Sequence, residues 1–239
     1  MRGGARHSVA GHDAVRQGPV PLPLELALTA LAVIVVAFGL KTFVMQSFYI
    51  PSSSMEDTFF ADDRIVVSKL APGLLDVHRG DIVVFRDPGG WSSNHPVASE
   101  SGLVAWLHGA AQALGLAPEE ADDFIVKRVI GVAGDTVACL GPGAPVTVNG
   151  QPLDETYLKE GVWPSEMAFS VVVPPDSLWV MGDNRASSWD SRYHQDSALG
   201  GAVALDRVVG VANLRLWPPG RFAILRNPGA VFEYVPELP

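Results

Sequence analysis

Phe124-Ile-Val-Lys-Arg-Val-Ile-Gly131 is a run of β-branched and aromatic residues closed by a glycine, the composition of a strand, with a basic pair set into its middle. Runs of the same kind recur: Arg64-Ile-Val-Val-Ser-Lys-Leu70, Asp81-Ile-Val-Val-Phe85, Val146-Thr-Val148, Ser170-Val-Val-Val173, Leu178-Trp-Val-Met181 and Val208-Val-Gly-Val-Ala-Asn-Leu-Arg-Leu-Trp217. Gly, Pro and Asp punctuate them. Asn149-Gly150 follows Val146-Thr-Val148 and predicts a tight hairpin, because both residues tolerate positive φ. Residues 47–239 are therefore expected to form a mainly β domain. One segment departs from the pattern. Gly102-Leu-Val-Ala-Trp-Leu-His-Gly-Ala-Ala-Gln-Ala-Leu114 spaces its apolar residues as a helix does, and Pro118-Glu-Glu-Ala-Asp-Asp123 follows as a polar loop. A small helix inserted within 91–121 is expected, packed on the β domain or dipping Trp106 and Leu107 into a membrane interface.

Upstream the texture changes. Residues 1–20 are rich in Gly, Arg and Ser and have no apolar periodicity, which predicts a disordered tail carrying Arg2, Arg6 and Arg16. From Leu26 to Leu40 every residue is apolar or small except Thr29, and Thr42-Phe-Val-Met45 prolongs the run past Lys41. Its length suits a bilayer. A cleavable leader is the competing reading, with Ala37-Phe-Gly39 as its small-x-small triplet. A retained transmembrane helix over 21–46 is preferred, since the apolar character continues through Phe48 and Ile50 into the loop discussed next. Arginines before the span and only Lys41 close after it place the N-terminus in the cytoplasm and the β domain outside.

Composition excludes several classes. The 239 residues are 48% hydrophobic and 18% charged, with a net charge of −9, and basic residues never cluster as nucleic-acid binding requires. A single cysteine, Cys139, rules out an internal disulfide and a cysteine-cluster metal site, and is expected to be a small buried hydrophobe. Neither a His-Glu-x-x-His helix nor a phosphate-binding Gly-x-x-x-x-Gly-Lys-Ser/Thr loop occurs, so no metal or cofactor is expected. His78, His95, His108 and His194 sit in no recognisable triad setting and read as surface histidines.

What remains is a serine and a lysine. Ser54 lies in Ser47-Phe-Tyr-Ile-Pro-Ser-Ser-Ser-Met-Glu-Asp-Thr-Phe59, just beyond the apolar run, and is a candidate nucleophile. Lys127 has Phe124, Ile125, Val126, Val129 and Ile130 as neighbours. Such surroundings disfavour an ammonium and would lower its pKa from roughly 10.4, by about 2.7 kcal/mol for each two units. A neutral amine accepts a proton. On the pattern alone, Lys127 is equally well an edge-strand lysine whose charge reaches water.

Four stretches then carry a specific resemblance: Phe48-x-Ile-Pro-Ser-x-Ser-Met55, Asp63-Arg-Ile-Val-Val-Ser-Lys69, Lys127-Arg-Val-Ile-Gly-x-x-Gly-Asp135 and Gly182-Asp-Asn-Arg-x-x-Ser-x-Asp-Ser-Arg192. They resemble the four sequence boxes of bacterial type I signal peptidases, in the family's order, and the likeness runs from Lys41 to about Trp217-Pro218. LexA-like self-cleaving repressors share that fold but lack the anchor and the full set of boxes. The resemblance implies a signal-peptidase β fold and a membrane-anchored serine endopeptidase that removes signal peptides, as in the single-anchor enzymes of Gram-positive bacteria.

By the same resemblance Ser54 is the nucleophile, Lys127 the general base, and Ser188 the hydroxyl that orients the lysine. Ser52 and the backbone N–H of Ser54 would form the oxyanion hole. Asp190 with Arg192, and Arg128 with Asp183, would support the site. The substrate would add as a strand between the nucleophile segment and the lysine strand, with its −1 and −3 side chains in shallow pockets made by Ile50, Met55, Phe59, Ile125 and Val126 and bordered by Phe48 and Ile65. The partners implied are preprotein signal peptides, the bilayer and a nearby translocon, in the plasma membrane. Three positions depart from the family's pattern: Ser53 stands for Gly, Glu56-Asp-Thr58 for x-Pro-Thr, and Ala133 for Pro. All fall in loops beside the dyad. A tethered β module that binds extended segments without cutting them, and a self-cleaver, are the competing readings.

Overall fold

The computed structural model describes residues 21–39, 43–91, 102 and 124–237. The predicted tail and nearly all of the predicted inserted helix lie outside the described residues. The chain divides into two units, 1–36 and 37–239. In the first, helix α1 spans Leu22–Gly39 with no buried residue. Its length and apolar composition suffice to cross a membrane. Its one polar interior side chain is satisfied locally, since Thr29 Oγ1 donates to Glu25 O at 2.9 Å. The helix stops earlier than the expected anchor, and Met45 and Gln46 already belong to a strand.

Beyond α1, the described residues form strands and turns, four one-turn 3-10 helices and a one-turn α-helix at Gly229–Phe232. The strands are β1 (Met45–Tyr49), β2 (Arg64–Ser68), β3 (Ile82–Arg86), β4 (Phe124–Val132), β5 (Thr136–Cys139), β6 (Thr147–Val148), β7 (Gln151–Pro152), β8 (Phe169–Val172), β9 (Ser177–Met181), β10 (Val203–Ala204), β11 (Val208–Trp217) and β12 (Ala223–Ile224). The main sheet runs β1-β2-β11-β3-β4-β9-β10, with β12 on β11. The smaller sheet runs β7-β6-β5-β8, and every pairing is antiparallel. The predicted hairpin forms as expected: Asn149 and Gly150 take φ of 52° and 82° and join β6 to β7.

The main sheet curls. Register shifts break the pairing of β11 with β2 and with β3, and such bulges bend a strand and strengthen its twist. Three strands separate β1 from β4 in the sheet, yet Phe48 of β1 and Phe124 of β4 meet edge to face with ring centroids 5.0 Å apart. One apolar cluster is shared by Phe48, Ile50, Met55, Phe59, Ile65, Val67, Ile82 and Val84, with Phe124 and Val126 against it. Other clusters fill the opposite face of the sheet and the space beneath the smaller sheet, where Cys139 is buried as expected.

The curl leaves a gap. β1 is the terminal strand, paired only with β2. On β4, residues 124–128 pair with β3, but β9 joins the other side only from Arg128 onward. Two strand edges thus lack partners among the described residues, and they face the same groove.

Candidate active site

Pro51 fixes the start of the site. The β1–β2 pairing continues one residue past β1, with Ile50 N donating to Asp63 O at 2.9 Å and Asp62 N donating to Ile50 O at 3.0 Å. Pro51 has no N–H to continue it. The chain then winds into a tight turn in which Glu56 N donates to Ser53 O and Phe59 N to Met55 O, at 3.0 and 2.7 Å. Met55 and Phe59 are buried at either end of this turn and fix it to the core. Ser54 immediately precedes Met55 and is 7% exposed.

The segment after β9 clamps this turn from the other side. Asn184 N donates to Ser54 O at 3.1 Å, and Asn184 Nδ2 donates to Ser53 O at 3.0 Å. Gly182 must be a glycine, because a Cβ there would collide with Ser54 O and with the Ser188 side chain. Glu56 accepts from Asn184 Nδ2 at 3.2 Å and from Lys159 Nζ at 2.5 Å.

Lys127 projects from β4 opposite Val83 and is 4% exposed. Its Nζ donates to Ser54 Oγ at 2.5 Å, and Ser52 Oγ lies 3.2 Å from the same oxygen. Burial pushes the Lys127 pKa down from 10.5 to about 8, overcoming the opposing pull of Asp190 and Asp183. The edge-strand alternative, with the ammonium in water, does not fit a side chain buried this deeply. The N–H of Ser54 donates to no described residue, and so remains available beside the Ser52 hydroxyl.

Both predicted supporting pairs form. Arg128 Nε and Nη2 donate to Asp183 at 2.8 and 2.6 Å, and Thr58 Oγ1 donates to the same carboxylate at 2.5 Å. Arg192 Nε and Nη2 donate to Asp190 at 2.8 and 2.9 Å, while Gly182 N donates to Asp190 at 3.0 Å. Burial would raise the Asp190 pKa, but Arg192 and the Gly182 N–H more than offset this and hold it below the usual carboxylate range. A third buried pair, Arg185 with Glu155, has no counterpart in the sequence reading, since nothing local to Glu155 points to a partner 30 residues away.

Ser188 is placed differently from the expectation. Its Oγ is buried, sits against Gly182 near the Asp190 carboxylate, and makes no hydrogen bond to Lys127. The lysine amine is instead engaged by Ser54.

A groove of about 280 Å³ opens along the dyad. Phe48, Ile50, Met55, Ile125 and Val126 line it as expected, together with Ser52, Ser54 and Lys127. Phe59 and Ile65 do not; both are fully buried in the core behind the wall, where the inward alternation of β2 and the packing of the turn place them. Trp91, Phe124 and Trp189 line the groove without having been singled out from sequence. His194 also departs from the surface reading: it stacks on Trp91 at 4.3 Å and its Nε2 is buried. His78 is exposed as expected, and His95 and His108 lie outside the described residues. Among the described residues no cluster of His, Cys, Asp and Glu is arranged to hold a metal.

The family described as signal peptidase, peptidase S26, matches residues 24–217. Signal peptidase I of Mycobacterium tuberculosis (strain ATCC 25618 / H37Rv) is 37% identical over 223 residues, covering 85% of this chain and 75% of that protein. Signal peptidase I of Bacillus caldolyticus is 30% identical over 205 residues, covering 81% and 90%. A solved signal peptidase I from Enterococcus faecalis V583 aligns with 57% of this chain and 97% of its own, with 23% identity and a TM-score of 0.37. The sequence matches alone, spanning the helix, the Ser54 turn, the Lys127 strand and the segment around Asn184, place the chain in the S26 family of signal peptidases, enzymes that cleave signal peptides.

Proposed function

We propose that cleavage proceeds through a Ser54–Lys127 dyad acting on a preprotein strand laid in the groove. The observation that carries this reading is the 2.5 Å contact between Lys127 Nζ and Ser54 Oγ in a buried setting that brings the amine to about 8. A neutral Lys127 takes the Ser54 proton as Oγ attacks the scissile carbonyl, whose oxygen gains negative charge beside the Ser54 N–H and the Ser52 hydroxyl. As the C–N bond breaks, Lys127 returns the proton to the departing amine of the mature protein. A water then gives a proton to Lys127 as it attacks the acyl-serine, and Lys127 passes that proton to the departing Ser54 Oγ, which restores both side chains and releases the signal peptide as a carboxylic acid that ionises in solvent. Ser188, although unbonded to Lys127 in this state, lies against the Gly182–Ser54 contact and orients the amine once Oγ is acylated.

The substrate strand fills the gap between the β1 extension and residues 124–127 of β4, taking up both unpaired edges. Its −1 and −3 side chains face Phe48, Ile50, Met55 and Val126, which leave shallow room and so admit small residues. Helix α1 anchors the enzyme in the plasma membrane, with the N-terminus cytoplasmic and residues 47–239 on the outer side near the translocon. Ser54→Ala, Lys127→Ala and Lys127→Arg are each expected to abolish processing of a preprotein, the last because a guanidinium cannot act as base. Near-native turnover by purified Lys127→Arg would refute the mechanism.

A further inference from the structure

The groove has two walls of different character, and only one of them is explained by small residues at −1 and −3. Along β4, Phe124 and Val126 pack with the Phe48–Met55 cluster, whereas Ile125 packs with the cluster that holds Phe85 and Trp91. A strand added to the free edge of β4 shares its pleat, so its successive side chains point alternately to these two faces. With −1 and −3 on the Phe48–Met55 side, the −2 side chain falls on the other, where Trp91 and Trp189 line the groove.

That face is an aromatic relay. Trp91, 6% exposed, stands edge-on to Phe85 at 5.7 Å and stacks flat on His194 at 4.3 Å. His194 meets Trp189 edge to face at 5.5 Å, and Trp189 stacks on Tyr193 at 4.7 Å. The relay is tied down, since His194 Nδ1 lies 2.9 Å from Asp190 O and Asp190 is gripped by Arg192. Yet Trp189 remains 55% exposed where it borders the groove, a large apolar ring that the described residues leave uncovered. Among the described lining residues, Lys127 is the only one with an ionisable side chain other than Tyr49.

We infer that Trp91 and Trp189, braced by His194 behind them, form a subsite for the −2 residue, the middle of the small-x-small motif, and that it selects a large apolar side chain there. The inference rests on the dyad and added-strand reading above. Trp189 is a specificity-determining residue: a Leu or Phe at −2 covers its exposed face, while Asp at −2 loses water against aromatic carbon without gaining a partner. An open shelf is weaker than an enclosed pocket, so the preference for Leu over Gly is about fivefold to tenfold in kcat/KM.

The test uses the full-length enzyme in detergent micelles and four preproteins that differ only at −2, in Ala-Leu-Ala, Ala-Phe-Ala, Ala-Gly-Ala and Ala-Asp-Ala. Wild type is expected to process Leu and Phe about fivefold to tenfold faster than Gly, with Asp slowest. Trp189→Ala should bring Leu and Gly to within about twofold of each other, and Trp189→Phe should keep most of the preference. If the alanine variant fails to fold, Trp189→Gln, which keeps bulk without a ring, carries the same expectation. Equal rates for all four substrates with wild type, or a Trp189→Ala defect of the same factor on every substrate, would overturn the subsite. Failure of wild type to cut any of the four would instead overturn the peptidase mechanism beneath it.

Discussion

Lys127→Met should make the protein more stable while destroying its activity, and the gain should depend on pH in a way fixed by the site. The Lys127 amine has a pKa of about 8 in the fold against 10.5 ordinarily. Between those values the unfolded chain binds more protons than the folded one, so stability rises with pH across that window. Below pH 8 both states carry the proton and the fold bears the full cost of a buried ammonium, about 3 kcal/mol. At pH 10 most of that cost is gone, and about 1 kcal/mol remains. Methionine removes it at every pH and loses the hydrogen bond to Ser54, worth about 1 kcal/mol. The variant should therefore exceed wild type by about 2 kcal/mol at pH 7 and be roughly level with it at pH 10. Urea unfolding of both proteins in the same micelles, followed by tryptophan fluorescence, measures the difference, and taking the difference cancels every other titrating group. A variant less stable than wild type at pH 7, or a difference that does not change with pH, would refute the claim that the lysine is buried at a cost.

Wild-type kcat/KM should climb about tenfold per pH unit below pH 8 and level off above it, as the neutral amine becomes the major form; a midpoint near 10 in a pH–rate profile would contradict it. Asp190→Asn should move that midpoint downward, because the Asp190 carboxylate raises the Lys127 value. The same change leaves the buried Arg192 without its anion and should cost about 3–5 kcal/mol in thermal or urea unfolding. Gly182→Ala should destabilise by about 1–3 kcal/mol and depress kcat more than it raises KM, since the new Cβ pushes on Ser54 O and Ser188; unchanged kinetics would show that the turn yields freely.

The residues that were legible in sequence are those whose local pattern and motif agree. The strand around Lys127, the Asn149-Gly150 hairpin and the long β11 follow from short-range composition, and the structure places them as expected. Two-residue strands such as β10 and β12 were not legible, because their pairing comes from their neighbours rather than from any run of their own. Phe59 and Ile65 illustrate the limit for the site. Sequence shows that they are apolar and near the nucleophile, but only the curl of the sheet decides that they lie behind the groove wall instead of in it. Trp91 and Trp189 fail in the opposite sense: they are far apart in sequence, sit in loops, and come together only through His194, which polar flanking residues had marked as ordinary surface.

The arginines of the site bear on how Lys127, the proposed base, can be neutral beside two carboxylates. Asp183 and Asp190 both pull the Lys127 pKa upward, and a carboxylate hydrogen-bonded directly to the amine would keep it charged. Neither is so bonded. Asp183 is taken by both donors of Arg128 and by Thr58, and Asp190 by both donors of Arg192 and by the Gly182 N–H. Each carboxylate thus reaches Lys127 as one end of a neutral pair, whose field falls off faster than that of a lone charge. Burial then decides the protonation state, and the amine is left with Ser54 Oγ as its hydrogen-bond partner. On this view the clamp segment does two things with the same residues: Gly182 and Asn184 hold the Ser54 turn, while Asp183 and Asp190, already satisfied, leave Lys127 free to give up its proton.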